Sequence, residues 1–308
     1  MNAITSPGGE LRDRPTLGVA CFITNLAIMA LLSATVRLLL ETYPLAQILM
    51  FRYLAAMLFF GAILCGTIGL RGLVTRRPLD HLIRSLSGIL SLALFYYAVS
   101  VIPIADATAL AYAAPIFITL LSIFLLGEVI GLQRWIAVIA GFVGVLLIAQ
   151  PGGAGWNIGV AAATASAFIG AIVAIWLRKL SSSEKSVTIG ALYNSFGFLL
   201  CLAWMLTTAW TMPLAADWLL IAVFGLLCGV QQWCLTISFR YAEASLLAPF
   251  EYLAMVFAAM VGYFFWGEIP VLTTWVGAAV IAASGLFIFL RRQRRLPAGK
   301  AADTVVID

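Results

Sequence analysis

Apolar residues run along this chain in long blocks with short polar breaks between them. The blocks fall at 17–38, 45–66, 82–102, 104–126, 133–150, 156–177, 187–208, 216–238, 242–266 and 271–290. Each is close to the ~20 residues that an α-helix needs to cross the ~30 Å hydrocarbon core of a bilayer. The pattern predicts an all-α integral membrane protein of ten transmembrane helices. The third and fourth blocks are separated only by Ile102-Pro103-Ile104. Pro103 lacks an N–H and disfavours helix in the residue before it, and an unbroken 82–126 run would be twice the bilayer thickness, so the cut belongs there.

The second half of the chain repeats the first. Ala105 to Ile130 (ADATALAYAAPIFITLLSIFLLGEVI) has a counterpart in Tyr241 to Pro270 (YAEASLLAPFEYLAMVFAAMVGYFFWGEIP). The pair Gly127-Glu128 recurs as Gly267-Glu268, 140 residues later, and Trp135 recurs as Trp275. Arg37 corresponds to Arg178 at an offset of 141. Each unit holds five helices, and an odd number forces the second copy to lie inverted in the membrane, the arrangement that places a binding site near the midplane. The expected organisation is an N-terminal tail at 1–16, a first repeat at 17–150, a second at 151–290 and a basic tail at 291–308.

Charge sets the orientation. Lys and Arg collect in the N-tail (Arg12, Arg14), in alternate connections (Arg71, Arg76, Arg77, with Arg84 at the helix edge; Arg134; Arg178, Lys179, Lys185; Arg240) and in the C-tail (Arg291, Arg292, Arg294, Arg295, Lys300). The other connections hold Arg37 and the acidic Glu41, Asp217 and Glu268. Both termini are therefore expected in the cytoplasm.

Composition narrows the class. The 308 residues are 63% hydrophobic and 10% charged, with mean hydropathy +1.07, against about 25% charged in a soluble domain. The net charge of +5 carries topology and gives no reason to expect nucleic acid. The five cysteines lie inside apolar blocks without metal-ligand spacing, so neither disulfides nor zinc are expected. The polar N-terminus lacks the features of a secretory signal, so the first block is expected to remain as a helix. No nucleophile elbow, zinc-helix motif or phosphate-binding loop is present, which argues against an enzyme, and the connections are too short for a nucleotide-binding domain. No cofactor or metal is expected. The expected partners are a small-molecule metabolite and membrane lipids, with no nucleic acid, and a monomer is the expected state.

The chain resembles the drug/metabolite transporter superfamily, EamA type, from about residue 17 to 290. The resemblance rests on the 5+5 plan, on Arg52 in the second helix (FRYLAA), on Pro115 ahead of Gly127-Glu128, and on PFEYLAMVFAAMVGYFFWGEIP in the second half. The second copy has Met255 where the first has Pro115, with Pro249 earlier. Family likeness implies metabolite transport in a bacterial inner membrane. Relatives of this type export amino acids and analogues, the YddG type being one branch, or carry nucleosides, cofactors or sugars.

Two ionisable side chains sit deep in apolar blocks, Arg52 and Glu251. A charge at mid-bilayer costs at least about 2.5–3.5 kcal/mol, so each must face protein or water. Glu251 either meets a substrate ammonium or coupling proton, or is satisfied by a neighbouring helix; Arg52 fits a structural charge better. Tyr112 and Tyr252 hold matching positions and would face each other across the pseudo-symmetry axis, while Glu251 aligns with Ala111 and has no acidic mate. Tyr96, the mid-membrane amides Asn25 and Gln232, and Trp233 are the further pathway candidates; the amides would serve equally as helix–helix hydrogen bonds, and Trp233 as core packing. Gln232 is favoured over Gln231 because it shares a stripe with Gly225, Gly229 and Thr236. Pro115 and Pro249 are the expected bending points. The expected function is alternating-access transport of a small metabolite, with amino acids and analogues as the expected cargo. A lipid flippase, a membrane-embedded enzyme and a non-transporting scaffold are the other classes.

Overall fold

A computed structural model describes residues 15–67, 69, 73–75, 77–126, 132–149, 157–181, 184, 186–241, 250 and 253–295. Among these residues every regular element is a helix, because in lipid each backbone N–H and C=O must be satisfied within its own segment. The helices are α1 (Pro15–Leu40), α2 (Leu45–Thr67), α3 (Pro78–Val101), α4 (Ile104–Ala111), α5 (Ala114–Leu126), α6 (Leu132–Ala149), α7 (Ile158–Ser181), α8 (Ser186–Met205), α9 (Asp217–Tyr241), α10 (Leu253–Trp266) and α11 (Leu272–Arg295). Among the described residues, seven apolar spans are long enough to cross a bilayer, with α4 and the start of α5 counting as one, and shorter apolar stretches of α6, α10 and α11 bring the plan to ten.

Prolines set the breaks. α3 ends at Val101, the Ile102 N–H bonds back to the Ala98 carbonyl at 2.9 Å, and Pro103 opens α4 by accepting the Ala107 N–H at 3.0 Å. The fourth span is interrupted once more, at Tyr112 and Ala113, two residues before Pro115. A proline cannot donate to the carbonyl one turn earlier, so the helix restarts with Pro115 in its first turn, where the missing N–H costs nothing.

Helix packing follows the repeat. α1 lies along α9 as α3 lies along α7; α1 meets α10 as α7 meets α5; α2 meets α9 as α8 meets α3. Three further contacts, α2 with α8, α4 with α10 and α6 with α11, join an element to its own mate. This is the contact pattern of two inverted five-helix units about a two-fold axis in the membrane plane.

Small residues mark the self-paired crossings. A Cβ on Gly144 would meet the Gly277 carbonyl oxygen at 2.6 Å, and a Cβ on Gly277 would meet the Gly144 oxygen at the same distance. The α6–α11 crossing is therefore backbone on backbone, as close small-residue contacts allow in a membrane. Between α2 and α8, the Tyr53 and Tyr193 hydroxyls lie 3.0 Å apart with ring centroids at 5.5 Å. Both residues occupy one repeat position, so this pair sits on the pseudo-axis and marks the middle of the membrane.

Candidate substrate pathway

The inner helices hold two polar crossings that the repeat relates. On α1 and α9, the Gln231 amide donates to the Asn25 carbonyl oxygen at 2.7 Å, with 7% and 1% of the two residues exposed. On α3 and α7, the Ser91 hydroxyl donates to the Ser166 carbonyl at 2.9 Å and the Ser166 hydroxyl to the Ser91 carbonyl at 2.8 Å. Ser91 is the repeat mate of Gln231, and Ser166 that of Asn25. One crossing is thus closed by small hydroxyls bonding backbone, the other by two amides bonding each other. The amide version spans more distance and carries more polar surface.

The expected site residues divide. Arg52 and Tyr96 are brought together: the Arg52 guanidinium donates to the Tyr96 hydroxyl and lies 5.5 Å from its ring centroid. Tyr96 is buried, and Tyr53, Tyr193 and Cys228 lie near Arg52. Asn25 pairs with Gln231, the glutamine that lies off the Gly225–Gly229 stripe; the side chain of Gln232 lies outside the described residues. Tyr112 is half-buried at the break between α4 and α5 and packs against Phe22 and Leu26 of α1 with Ala254 of α10. Trp233 is half-exposed on α9 and meets Phe59 of α2 edge-on at 6.3 Å. Pro115 stands in the first turn of α5, its side chain outside the described residues. Glu251, Tyr252 and Pro249 lie outside them altogether.

The repeated Gly-Glu pair gains a structural role at its second copy. Gly267 takes φ +66°, a conformation that costs a non-glycine residue, and turns the chain at the end of α10. Glu268 then folds back beneath the helix end, into space that a Cβ on Gly262 would fill at 2.8 Å. Its carboxylate accepts from Arg37 at 2.5 Å and from the Ile104 N–H at 3.3 Å, the first turn of α4. The Trp266 ring covers the guanidinium at 4.6 Å. Nearby, the Thr274 hydroxyl donates to Asp106 at 2.8 Å. Together these contacts tie α1, α4, α10 and α11 at the end that the Lys/Arg distribution assigns to the outside. An anion at a helix N-terminus is favoured by the exposed N–H groups and the helix dipole.

Known proteins with the same pattern settle the family. The EamA-like transporter family matches residues 16–150 and again 157–290. The chain belongs to the EamA-like transporter family. Curated relatives include a riboflavin transporter of Rhizobium johnstonii, 30% identical across 82% of this chain and 83% of the relative. A riboflavin transporter of Vibrio cholerae is 30% identical across 72% and 75%. An S-adenosylmethionine uptake transporter of Rickettsia bellii is 26% identical across 74% and 78%. A solved structure covers 92% of this chain with TM-score 0.60 at 20% identity, a likeness of fold. This EamA-like protein is accordingly a multi-pass bacterial membrane transporter of a small molecule, and no enzyme.

Proposed function

We propose that the chain carries a flavin-class metabolite, a flat aromatic ring system with a polar tail, across the bacterial inner membrane by alternating access. The observation that carries this reading is the 30% identity to two riboflavin transporters over 72% and 82% of the chain. The side chains at the membrane centre suit such a cargo. The Arg52–Tyr96 pair offers a cation and an aromatic face together, and the Asn25–Gln231 amides offer both donors and acceptors to ring carbonyls and hydroxyls. Tyr112, Gln232, Trp233 and Tyr252 are proposed as further pathway residues. The two repeats rock against each other, with bending at Pro115 and Pro249.

A second reading, export of amino acids and analogues, is supported by Glu251, an acid within an apolar block that would meet an ammonium group. A thermal-shift panel on purified protein separates the two. Riboflavin is expected to raise the unfolding midpoint in a saturable way while amino acids leave it unchanged. Stabilisation by amino acids alone, lost in Glu251→Gln, would replace the flavin reading with the second.

A further inference from the structure

The two sides of the Tyr53–Tyr193 axis are not equally polar. On α3, one face carries His81, Arg84 and Ser85 within the first two turns. Their repeat mates on α9 are Ile221, Phe224 and Gly225, of which Phe224 is fully buried and Ile221 nearly so. The fold therefore closes this crossing with apolar packing on one side, and nothing in the architecture calls for polar atoms on the other.

The polar face is buried and, apart from a side-chain hydrogen bond between Arg84 and Tyr193, unsatisfied. His81 and Ser85 are each 1% exposed. Both ring nitrogens of His81, the Ser85 hydroxyl, and Nε and Nη1 of Arg84 are buried without a hydrogen-bond partner. Arg84 lies over the Tyr193 ring at 3.7 Å and extends toward mid-membrane, its Nη1 near the space above Gly88. Gly88 is what leaves room, since a Cβ there would meet the Tyr193 ring at 2.9 Å. The neighbouring acids are engaged elsewhere: Glu184 accepts from Thr75 at 2.6 Å and stays 4.0 Å from His81, and Asp80 accepts from Lys179 at 2.8 Å. Buried donors left unmade are costly, and a cation among them is the usual sign of a missing anionic partner.

From this geometry we propose that His81, Arg84 and Ser85 form a binding site for an oxyanion, the carboxylate or phosphate of a metabolite met at the cytoplasmic end of α3. The guanidinium supplies the charge and two N–H donors, the imidazole and hydroxyl supply short-range donors, and Tyr193 holds the guanidinium flat. The same chemistry would take the phosphate of an anionic lipid headgroup. Access requires the inner ends of α3 and α8 to part, so the site fills during the transport cycle. The choice of first probe rests on the flavin reading; the site does not.

The test titrates flavin mononucleotide and riboflavin, which differ by one phosphate, into the full-length protein in phosphatidylcholine nanodiscs, following flavin fluorescence. The proposal expects the phosphorylated flavin to bind about 10- to 100-fold tighter, the range of a charge-assisted hydrogen bond. Arg84→Gln abolishes the difference while leaving riboflavin affinity unchanged, and Arg84→Lys restores part of it in a variant that elutes as a single species. Equal affinities, unchanged in Arg84→Gln, overturn the site. If neither flavin binds, the flavin reading fails and the site is judged separately. Inorganic phosphate, or replacement of the lipid by phosphatidylglycerol, then stabilises the wild type against heat but not Arg84→Gln, phosphate alone pointing to a soluble anion and phosphatidylglycerol alone to a lipid. No stabilisation by either overturns it.

Discussion

The hydroxyls of Tyr53 and Tyr193 meet at 3.0 Å, and the two residues are the same position of the two repeats. A residue can touch its own mate only on the pseudo-two-fold axis, so this bond locates the axis between α2 and α8. Removing one hydroxyl leaves its partner buried and less satisfied. Tyr53→Phe and Tyr193→Phe are each expected to lower stability by about 1 kcal/mol. The double variant should cost less than the two single losses added together, as read from denaturant unfolding in detergent. Strict additivity would mean that the hydroxyls do not depend on each other.

The α6–α11 crossing leaves no room for a side chain at its centre. Gly144→Ala and Gly277→Ala each press a methyl into a carbonyl oxygen at 2.6 Å. Overpacking of this kind costs about 1–3 kcal/mol, so both variants should show a lowered thermal midpoint and a poorer yield of monodisperse protein. Gly61→Ala, where a Cβ meets nothing within 4 Å, serves as the control and should be neutral.

The Asn25–Gln231 bond can be separated into structure and pathway. Gln231→Leu strands the Asn25 amide in a buried position, whereas Asn25→Leu with Gln231→Leu removes both polar groups. The single variant should therefore be less stable than the double one, an asymmetry of about 1–3 kcal/mol. Asn25→Ser with Gln231→Ser copies the residues of the α3–α7 crossing and should keep the fold. Transport lost in the serine variant at unchanged thermal midpoint would place the amides in the pathway; transport retained would leave them as helix contacts.

Much of the fold is legible in residue order, because lipid leaves the backbone few choices. Pro103 and Pro115 announce the breaks on either side of α4, and the paired Gly-Glu motifs announce the repeat. The site is less legible. His81 looks like a connection residue and Arg84 like a helix-edge charge because the apolar block starts only at Leu82; α3 in fact starts at Pro78, and His81 and Ser85 are buried on its inner face. Gln231 and Gln232 lie about 100° apart on one helix, and glycine spacing favours the second. Across the interface, Gln231 is the one that bonds Asn25. The Tyr53–Tyr193 match was visible as an offset of 140 in FRYLAA and GALYNS, but only contact between α2 and α8 gives that offset meaning. The Gly-Glu motif was readable as a repeat, while its work on Arg37 and α4 required the left-handed turn at Gly267.

The Arg37–Glu268 pair holds the outer ends of α1, α4 and α10 together. Glu268→Ala should loosen that end by about 1 kcal/mol, a population shift of about fivefold. Ala107, fully buried in the second turn of α4, is a suitable reporter. With the native cysteines replaced, Ala107→Cys should react about fivefold faster with an impermeant maleimide added outside when Glu268 is Ala. An unchanged labelling rate would make the ion pair incidental to opening.

Counterflow in proteoliposomes tests the central claim most directly. Vesicles loaded with unlabelled riboflavin and diluted into a trace of labelled riboflavin should accumulate label transiently, with a saturable initial rate absent from protein-free vesicles. Label entry no faster than in protein-free vesicles, in a preparation that remains folded and monodisperse, would contradict flavin transport by this chain.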